Sequence, residues 1–290
     1  MMHWINIVVQ GGLIGGLYAL MAIGLSLSFG IMRLVNIAHG DLTVMSAFIA
    51  LAIAAWLGAG SLLILPLAIV AMALLGYALQ RVLLNRVLGT DLLPPLLVTF
   101  GLSIIIQNGL LEIFSADTRI LPSGSLVTDS ISLAGGLRVG VLPLLTFVVA
   151  LGVFALLQAL FSWTRLGRTF RAAADDPQTV KLMGVDNRHV YALAMGLAMA
   201  VTAIGGYFFV LSTTVGPAEG GARLIYAFEA VIIGGLGSLW GTLIGAMVLG
   251  IAQSLALQIN PGWGILGGHL AFLLILMFRP QGLFPVAKHH

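Results

Sequence analysis

The chain contains no cysteine, which excludes disulfides and thiolate metal sites. Charge is scarce: Asp, Glu, Lys and Arg make up 8% of its 290 residues, against about 25% in an ordinary soluble domain. Glutamate occurs only at Glu112, Glu219 and Glu229. There is no G-x-x-x-x-G-K-[ST] run, which excludes ATP binding through a phosphate loop. No basic segment precedes the first apolar run, so that run reads as a retained span rather than a cleaved signal. A net charge of +3 reports membrane orientation and gives no reason to expect nucleic acid.

Apolar residues fill the space that charge leaves. They make up 60% of the chain, and its mean hydropathy is +1.10. Apolar runs cover Ile7–Ile31, Leu42–Leu57, Leu62–Leu79, Leu92–Phe114, Val141–Phe161, Val190–Leu211, Tyr226–Leu257 and Ile265–Phe278. At about 20 residues per span, this predicts an all-α polytopic membrane protein with about eight helical segments. Too few residues remain for a large soluble domain. Residues 1–290 therefore read as one transmembrane domain, and any ATPase must be another chain.

The Lys and Arg residues suggest sidedness. Arg81 and Arg86 flank one short loop. The stretch Arg165–Val190 carries Arg165, Arg168, Arg171, Lys181 and Arg188, with Asp175, Asp176 and Asp186. Both regions are expected in the cytoplasm. The loop Ser115–Gly140 is then outside; its Pro122, Ser123, Gly124, Ser125, Gly135 and Gly136 predict irregular or hairpin structure. Ser212–Arg223 is likewise expected outside. Counting eight runs puts both termini outside, whereas Arg279 and Lys288 favour a C-terminus inside. The conflict points to one run that is broken or re-entrant. His289 and His290 read as a cloning remnant.

Two helix-breaking places stand out: Ser28–Asp41 and Gly234–Gly245. Broken helices at membrane depth need cover from protein or a water-filled path, and such breaks mark substrate routes in transporters. Gly11, Gly12, Gly15 and Gly16 read instead as close-packing positions.

These elements form a pattern across nearly the whole chain. Gly16-Leu17-Tyr18-Ala19-Leu20, Gly24 to Gly30 and Asn36-Ile37-Ala38-His39-Gly40-Asp41 resemble the opening of branched-chain amino acid ABC permeases of the Liv type, the shorter LivH-like form. The stretch from Leu166-Gly167-Arg168 through Lys181-Leu182-Met183-Gly184-Val185 resembles that family's cytoplasmic coupling segment. Glu229 to Ser238 with Gly241 to Ala246 resembles its late Gly-rich motif, and Phe278 to Phe284 its C-terminal motif. The resemblance implies a type II-like ABC importer permease in a bacterial inner membrane. It implies two ATP-binding subunits that hold ATP and Mg, a second permease subunit (a paralogue) and a periplasmic solute-binding protein. No cofactor is expected in this chain. The expected solute is a branched-chain amino acid or a related small polar molecule, with urea, short amides and aromatic acids as the alternative.

Within that frame, residues 165–190 are the expected coupling segment, with Arg171, Pro177, Val180, Leu182, Met183, Gly184 and Val185 toward the ATPase. Asp175 and Asp176 before Pro177 form a helix start, and the apolar residues suit docking in a groove. The candidate path or gate is Asn36, His39, Asp41, Glu229, Gly234, Gly235, Gly237 and Ser238. For Asn36, His39 and Asp41 the alternative, a capped helix start with a neutral histidine, is the favoured reading. Glu229 is expected to line the path or cap a helix, and Glu219 to meet the binding protein. Arg223 is expected to pair with Glu219 or Glu229. Gln107 and Asn108 read as interhelical hydrogen-bonding groups or as path lining. Ser26, Ser28, Thr99 and Ser103 are expected to bond backbone carbonyls, and Trp4, Trp56 and Trp163 to anchor span ends. No converging set of ligands supports a metal site. No carboxylate set supports an ion-coupled carrier or channel, and His39 with Asp41 is too little for an intramembrane enzyme.

Overall fold

A computed structural model describes residues 2–89, 93–122, 124–133 and 137–284. Ser123, Gly135, Gly136, Lys288, His289 and His290, named above, lie outside the described residues. The helices are α1 (Met2–Met32), α2 (His39–Leu57), α3 (Ile64–Val82), α4 (Leu93–Phe114), α5 (Val141–Trp163), α6 (Arg165–Asp175), α7 (Pro177–Leu182), α8 (Asn187–Ser212), α9 (Gly220–Gly234), α10 (Leu239–Ile259) and α11 (Gly264–Phe278). Between α4 and α5, β1 (Ser130–Leu133) and β2 (Leu137–Gly140) form an antiparallel hairpin with Ile131 opposite Val139. Among the described residues eight helices are long and apolar enough to cross a bilayer: α1, α2, α3, α4, α5, α8, α10 and α11.

The seventh apolar run resolves into two helices. α9 has 15 residues, about 22 Å at 1.5 Å per residue and too short for a hydrocarbon core of about 30 Å. Its first residue, Gly220, lies against Asp41, and its last, Gly234, lies against Gly241 at the start of α10. The chain therefore descends through Thr213–Glu219 and α9, then returns through α10. This split removes the parity conflict. The N-terminus lies on the side of the β-hairpin, and Arg279 lies on the side of Arg33, Arg81, Arg86 and the α6–α7 segment. That basic face is cytoplasmic.

Packing sorts the helices into a centre and a rim. The most apolar stretches of α1 and α8 are 72% buried, whereas those of α4 and α11 are 17% and 11% buried. Lipid tails are as apolar as leucine, so close backbone approach holds such a bundle together. α1 meets α10 through glycines: a Cβ on Gly11 would stand 2.7 Å from Ile251 Cα, and one on Gly250 would stand 2.8 Å from Gly15 N. Gly16 is closed by Phe147 of α5, while Gly12 has ordinary room. The large side chains Phe48, Phe154, Phe209 and Met72 fill the remaining core.

The C-terminal segment straps the end of α9. Leu283 N donates to Ile233 O (2.8 Å) and Phe284 N donates to Gly234 O (3.0 Å). These carbonyls belong to the last turn of a helix, where no intrahelical donor is left. Gly282 sits on Gly235 so closely that a Cβ would stand 2.6 Å from Gly235 N.

Candidate functional site

Two helix starts meet inside the membrane. After α1 ends at Met32, Arg33–Ala38 climbs back, and α2 begins at His39. His39 is fully buried, and its Nε2–H donates to Met21 O of α1 at 2.8 Å. Met21 lies 11 residues before the end of α1, about 16 Å along the axis, so α2 starts near mid-bilayer. From the opposite side, Thr213–Glu219 enters and α9 starts at Gly220. Gly40 and Gly220 face each other: a Cβ on Gly40 would stand 2.7 Å from Leu224 N, and one on Gly220 would stand 2.8 Å from Asp41 Cα.

Asp41 therefore lies at the N-terminal ends of both α2 and α9, where aligned peptide dipoles favour negative charge. Its Oδ2 accepts from Ser103 Oγ of α4 at 2.5 Å. Asn36 is fully buried, and its Oδ1 accepts from Ala38 N at 3.1 Å, satisfying a backbone donor ahead of α2. Asn36 Nδ2 and His39 Nδ1 have no partner among the described residues. The cluster is a joint between α1, α2, α4 and α9 in which Asn36, His39 and Asp41 each hold one partner, and the side-chain cap expected at the start of α2 is not formed.

The second break, Gly235–Ser238, is built differently. Gly235 (φ 105°) and Gly237 (φ 81°) hold left-handed backbone, which glycine adopts without a Cβ clash. Ser238 caps α10 by accepting from Gly241 N at 3.1 Å. Gly234 packs on Gly241 across the turn, and Gly237 packs on Gly30 of α1. This break lies at the cytoplasmic end, so the structure does not bring it together with Asn36, His39 and Asp41.

Glu229 belongs to neither cluster and caps no helix. It is buried in α9, and its carboxylate accepts from His269 Nδ1–H of α11. Tyr226 stacks on His269 with centroids 6.3 Å apart and on Tyr18 at 5.4 Å. Tyr18 OH donates to Gln253 Oε1 at 2.7 Å. This polar chain joins α9 to α1, α10 and α11, and sequence reasoning missed all of it except Glu229. The spacing Tyr226-x-x-Glu229, which puts both on one helix face, is the signal that was present.

In the segment expected outside, Thr213 and Thr214 are exposed, and Pro217–Glu219 packs on α2 and α4 with Pro217 buried. Glu219 is half-buried: Oε1 accepts from Gly216 N at 2.9 Å, and Oε2 pairs with Arg223 at 2.5 Å. The Arg223 guanidinium also lies 4.3 Å from the Phe209 ring centroid. Glu219 is thus paired within the chain while its side chain stays 29% exposed.

Of the four hydroxyls singled out, Ser28 and Thr99 bond backbone carbonyls at 2.9 Å. Ser103 reaches Asp41, and Ser26 accepts from Thr242 Oγ1 at 2.9 Å. Asn108 is exposed, and its amide donates to Ile104 O of its own helix; it makes no interhelical bond among the described residues. It shares a face of α4 with Gly101, Ile105 and Glu112. A Cβ on Gly101 would meet nothing within 4 Å. An amide turned outward about 9 Å from the end of α4 is costly against hydrocarbon. The exposed face of α11, with Leu266, Leu270, Leu273, Leu274 and Met277, has no such cost.

At the cytoplasmic face, α6 and α7 form a fixed platform. Thr164 caps α6 by accepting from Gly167 N at 3.0 Å, and Phe170 packs on Phe161. Asp176 caps α7, accepting from Gln178 N (3.0 Å), Thr179 N (3.1 Å) and Thr179 Oγ1 (2.5 Å). The Thr179 hydroxyl, foremost among these donors, holds the Asp176 carboxyl below the usual aspartate range. Pro177 occupies the first turn. Gly184 (φ 85°) ends the helix, letting Val185 N reach Val180 O at 3.3 Å. Arg81 binds Asp186 at 3.1 Å, tying α3 to the start of α8 and lowering the Asp186 carboxyl. Val180 is buried and Val185 is half-buried, so they hold α7 down. Leu182 and Met183 project, 88% and 78% exposed, and Arg171 is exposed on α6.

The family model for the branched-chain amino acid transport system permease component matches residues 7–278. The high-affinity branched-chain amino acid transport system permease protein BraD of Pseudomonas aeruginosa is 29% identical, over 97% of this chain and 95% of its own. The protein LivH of Escherichia coli K12, with the same description, is 28% identical over 97% and 96%. The fructose import permease protein FrcC of Rhizobium meliloti is 30% identical over 92% of this chain and 72% of its own. A multi-pass helical chain matched from its first span to its last in this way belongs to the permease component family of branched-chain amino acid ABC transport systems.

Proposed function

We propose that this chain is the permease subunit of an ATP-driven importer that moves branched-chain amino acids across a bacterial inner membrane. The observation that carries the solute class is the family match over residues 7–278 together with the near-full-length similarity to BraD and LivH. The chain does no chemistry itself. Two ATP-binding subunits hold ATP and Mg, a periplasmic binding protein delivers the solute, and a paralogous permease completes the path. The similarity to FrcC supports a second reading in which the solute is another small polar molecule.

Residues 165–190 couple the membrane bundle to the ATPase. Leu182 and Met183 are large apolar side chains held in water on a capped, anchored helix, which suits insertion into a partner groove. Arg171 and Lys181 supply charge around them, while Pro177, Gly184, Val180 and Val185 give the platform its shape. The exposed face of α4, with Asn108 and Glu112, lies toward the water-filled path or the second permease, since either would relieve the cost of a polar group in lipid. Gly234, Gly235, Gly237 and Ser238 form the moving break, against the fixed joint of Asn36, His39 and Asp41. Glu229 is not proposed as path lining.

Uptake of a solute panel by vesicles carrying the assembled complex tests this reading. Leucine, isoleucine and valine are expected to enter only with ATP and binding protein both present. Preference for a sugar, urea or an amide would replace the solute, and uptake independent of ATP would remove the importer reading. Replacing Leu182 and Met183 together by Asp should abolish ATPase association while the permease keeps its thermal stability. Val180→Asp should instead lower that stability, because Val180 is buried.

A further inference from the structure

A cavity of about 440 Å³ opens on the cytoplasmic face between the first break and the coupling platform. Arg33, Leu34 and Val35 form one wall and Ala173, Asp175 and Pro177 the other, with Tyr191, Leu88 and Leu96 between them. Its volume lies within the roughly 300–1,000 Å³ typical of small-molecule sites. Three properties define what would fit.

Arg33 and Asp175, one basic and one acidic residue, both line this cavity and are exposed to water at its mouth, and neither is in an ion pair among the described residues. The rest of the lining is predominantly aliphatic, so the site as a whole is neutral and apolar with two opposite charges. Arg33 is also held with φ at 51°, an uncommon conformation for a residue other than glycine. The neighbouring cavity of about 280 Å³, which contains Arg171, shares Asp175 as a wall.

We propose that this cavity binds a zwitterionic aliphatic α-amino acid from the cytoplasm and that its occupancy slows further import. The Arg33 guanidinium takes the carboxylate, in the geometry that arginine forks favour. Asp175 takes the ammonium group, and Met32, Val35, Leu88 and Leu96 take the side chain. A monocarboxylate or a simple amine would leave one charge unmatched, and a sugar would leave both.

The consequence for transport follows from the position of the walls. One belongs to the segment that re-enters the membrane, and the other is the joint between α6 and α7. A ligand that touches both favours the arrangement in which they stand this far apart. Solute accumulated inside therefore holds the permease in that arrangement. This inference rests on the proposed solute class only for its physiological meaning; the recognition chemistry stands separately.

The test is equilibrium binding of radiolabelled leucine to the purified complex of both permeases and both ATPase subunits, without binding protein and without ATP. Saturable binding is expected with a dissociation constant of about 1 mM, as partly exposed charge contacts allow. Arg33→Gln and Asp175→Asn should each weaken it about tenfold, and 4-methylpentanoate and 3-methylbutylamine should compete at least about tenfold less well than leucine. Leu96→Trp, which fills the cavity and keeps both charges, should abolish binding and guards against misfolding of the charge variants. In proteoliposomes, leucine inside should lower the initial import rate about fivefold. The three variants, each measured against its own rate with an empty lumen, should lose that inhibition. Absence of saturable binding up to about 20 mM in the assembled complex, or equal binding in all variants, would overturn the proposal. Binding that follows these expectations in a complex that imports no branched-chain amino acid would leave the cavity assigned and remove only the import reading.

Discussion

The two interruptions in the helical bundle are made from opposite materials. Arg33–Ala38 leads into a joint of polar side chains, where Asn36, His39 and Asp41 each hold a partner deep in the membrane. Gly235–Ser238 is made of backbone: two left-handed glycines, a serine cap and a strap of main-chain hydrogen bonds. The residues that look most functional by polarity occupy the more fixed of the two. Each of these buried bonds specifies one arrangement, and breaking it would expose a donor or acceptor to hydrocarbon at a cost of several kcal/mol. The glycine turn carries no buried polar side chain and reaches the edge of the bundle at the exposed Leu236, so a change in its dihedral angles strands no side-chain donor or acceptor. Motion is therefore expected at the second break and rigidity at the first.

The strongest way to break this contrast is Gly220→Ala. Its methyl group would meet the Asp41 backbone at 2.8 Å, and overpacking costs about 1–3 kcal/mol even where side chains can yield. Loss of monodisperse, folded permease in detergent is expected; a stable variant would show that the two helix starts are not locked together. Gly235→Ala comes next. A side chain at φ 105° strains the backbone by about 1–3 kcal/mol. The chain should still insert, but stimulated import should fall about tenfold with the solute dependence unchanged. Unaltered import would deny the second break its role as a hinge.

Asp41→Asn sharpens the first side of the comparison. The amide keeps the shape and can still accept from Ser103, so a loss of about 1 kcal/mol is expected for weakened hydrogen bonding and charge at the helix ends. Thermal stability should drop by a few degrees, with import above half of normal. Abolished import at unchanged stability would instead place Asp41 on the path. The smallest effect is expected at the water's edge, where Asp186 makes a side-chain cap like those of the joint but in solvent. Arg81 lowers its carboxyl in the folded chain. Its contribution is therefore complete above the ordinary aspartate pKa of about 4 and is lost as pH falls through the lower folded value. Asp186→Asn should lower melting slightly and by the same amount at pH 6 and pH 8, about one degree for an exposed pair. It should make the decline below about pH 4 shallower.

Much of the architecture is legible in the sequence because a bilayer enforces it. Span length, the glycines at Gly11, Gly15 and Gly16, and the helix start at Asp176-Pro177 each follow from a local rule. The tryptophans Trp4, Trp56 and Trp163 are exposed, as anchors should be. Tyr226–Leu257 was harder: a break between antiparallel helices leaves the same apolar composition as a long span, and the glycines of Gly234–Gly245 with the mismatch at Arg279 were the signals of it. Thr213–Glu219 is polar enough to suggest a loop, but Glu219 and Arg223 neutralise each other and let Pro217–Glu219 sink against α2 and α4. His269 was invisible because one polar residue in an apolar run has no period. Its partner comes from a helix 40 residues away. Val180 and Leu182 are both aliphatic, and only the fold shows that Val180 faces the bundle while Leu182 projects.

The strap on α9 also bears on how the chain is made. Ile233 and Gly234 leave the ribosome long before Leu283 and Phe284, which supply their missing donors. Throughout that interval α9 is a short helix with an open end. It is held by α10 as soon as that helix is inserted, yet it is finished only after α11 has crossed in the other direction. The end of α9 is thus among the last parts of the bundle to be completed during synthesis. A nascent chain stalled before residue 283 would carry every long span and still lack a closed cytoplasmic end, a state that quality-control proteases at the membrane surface could recognise.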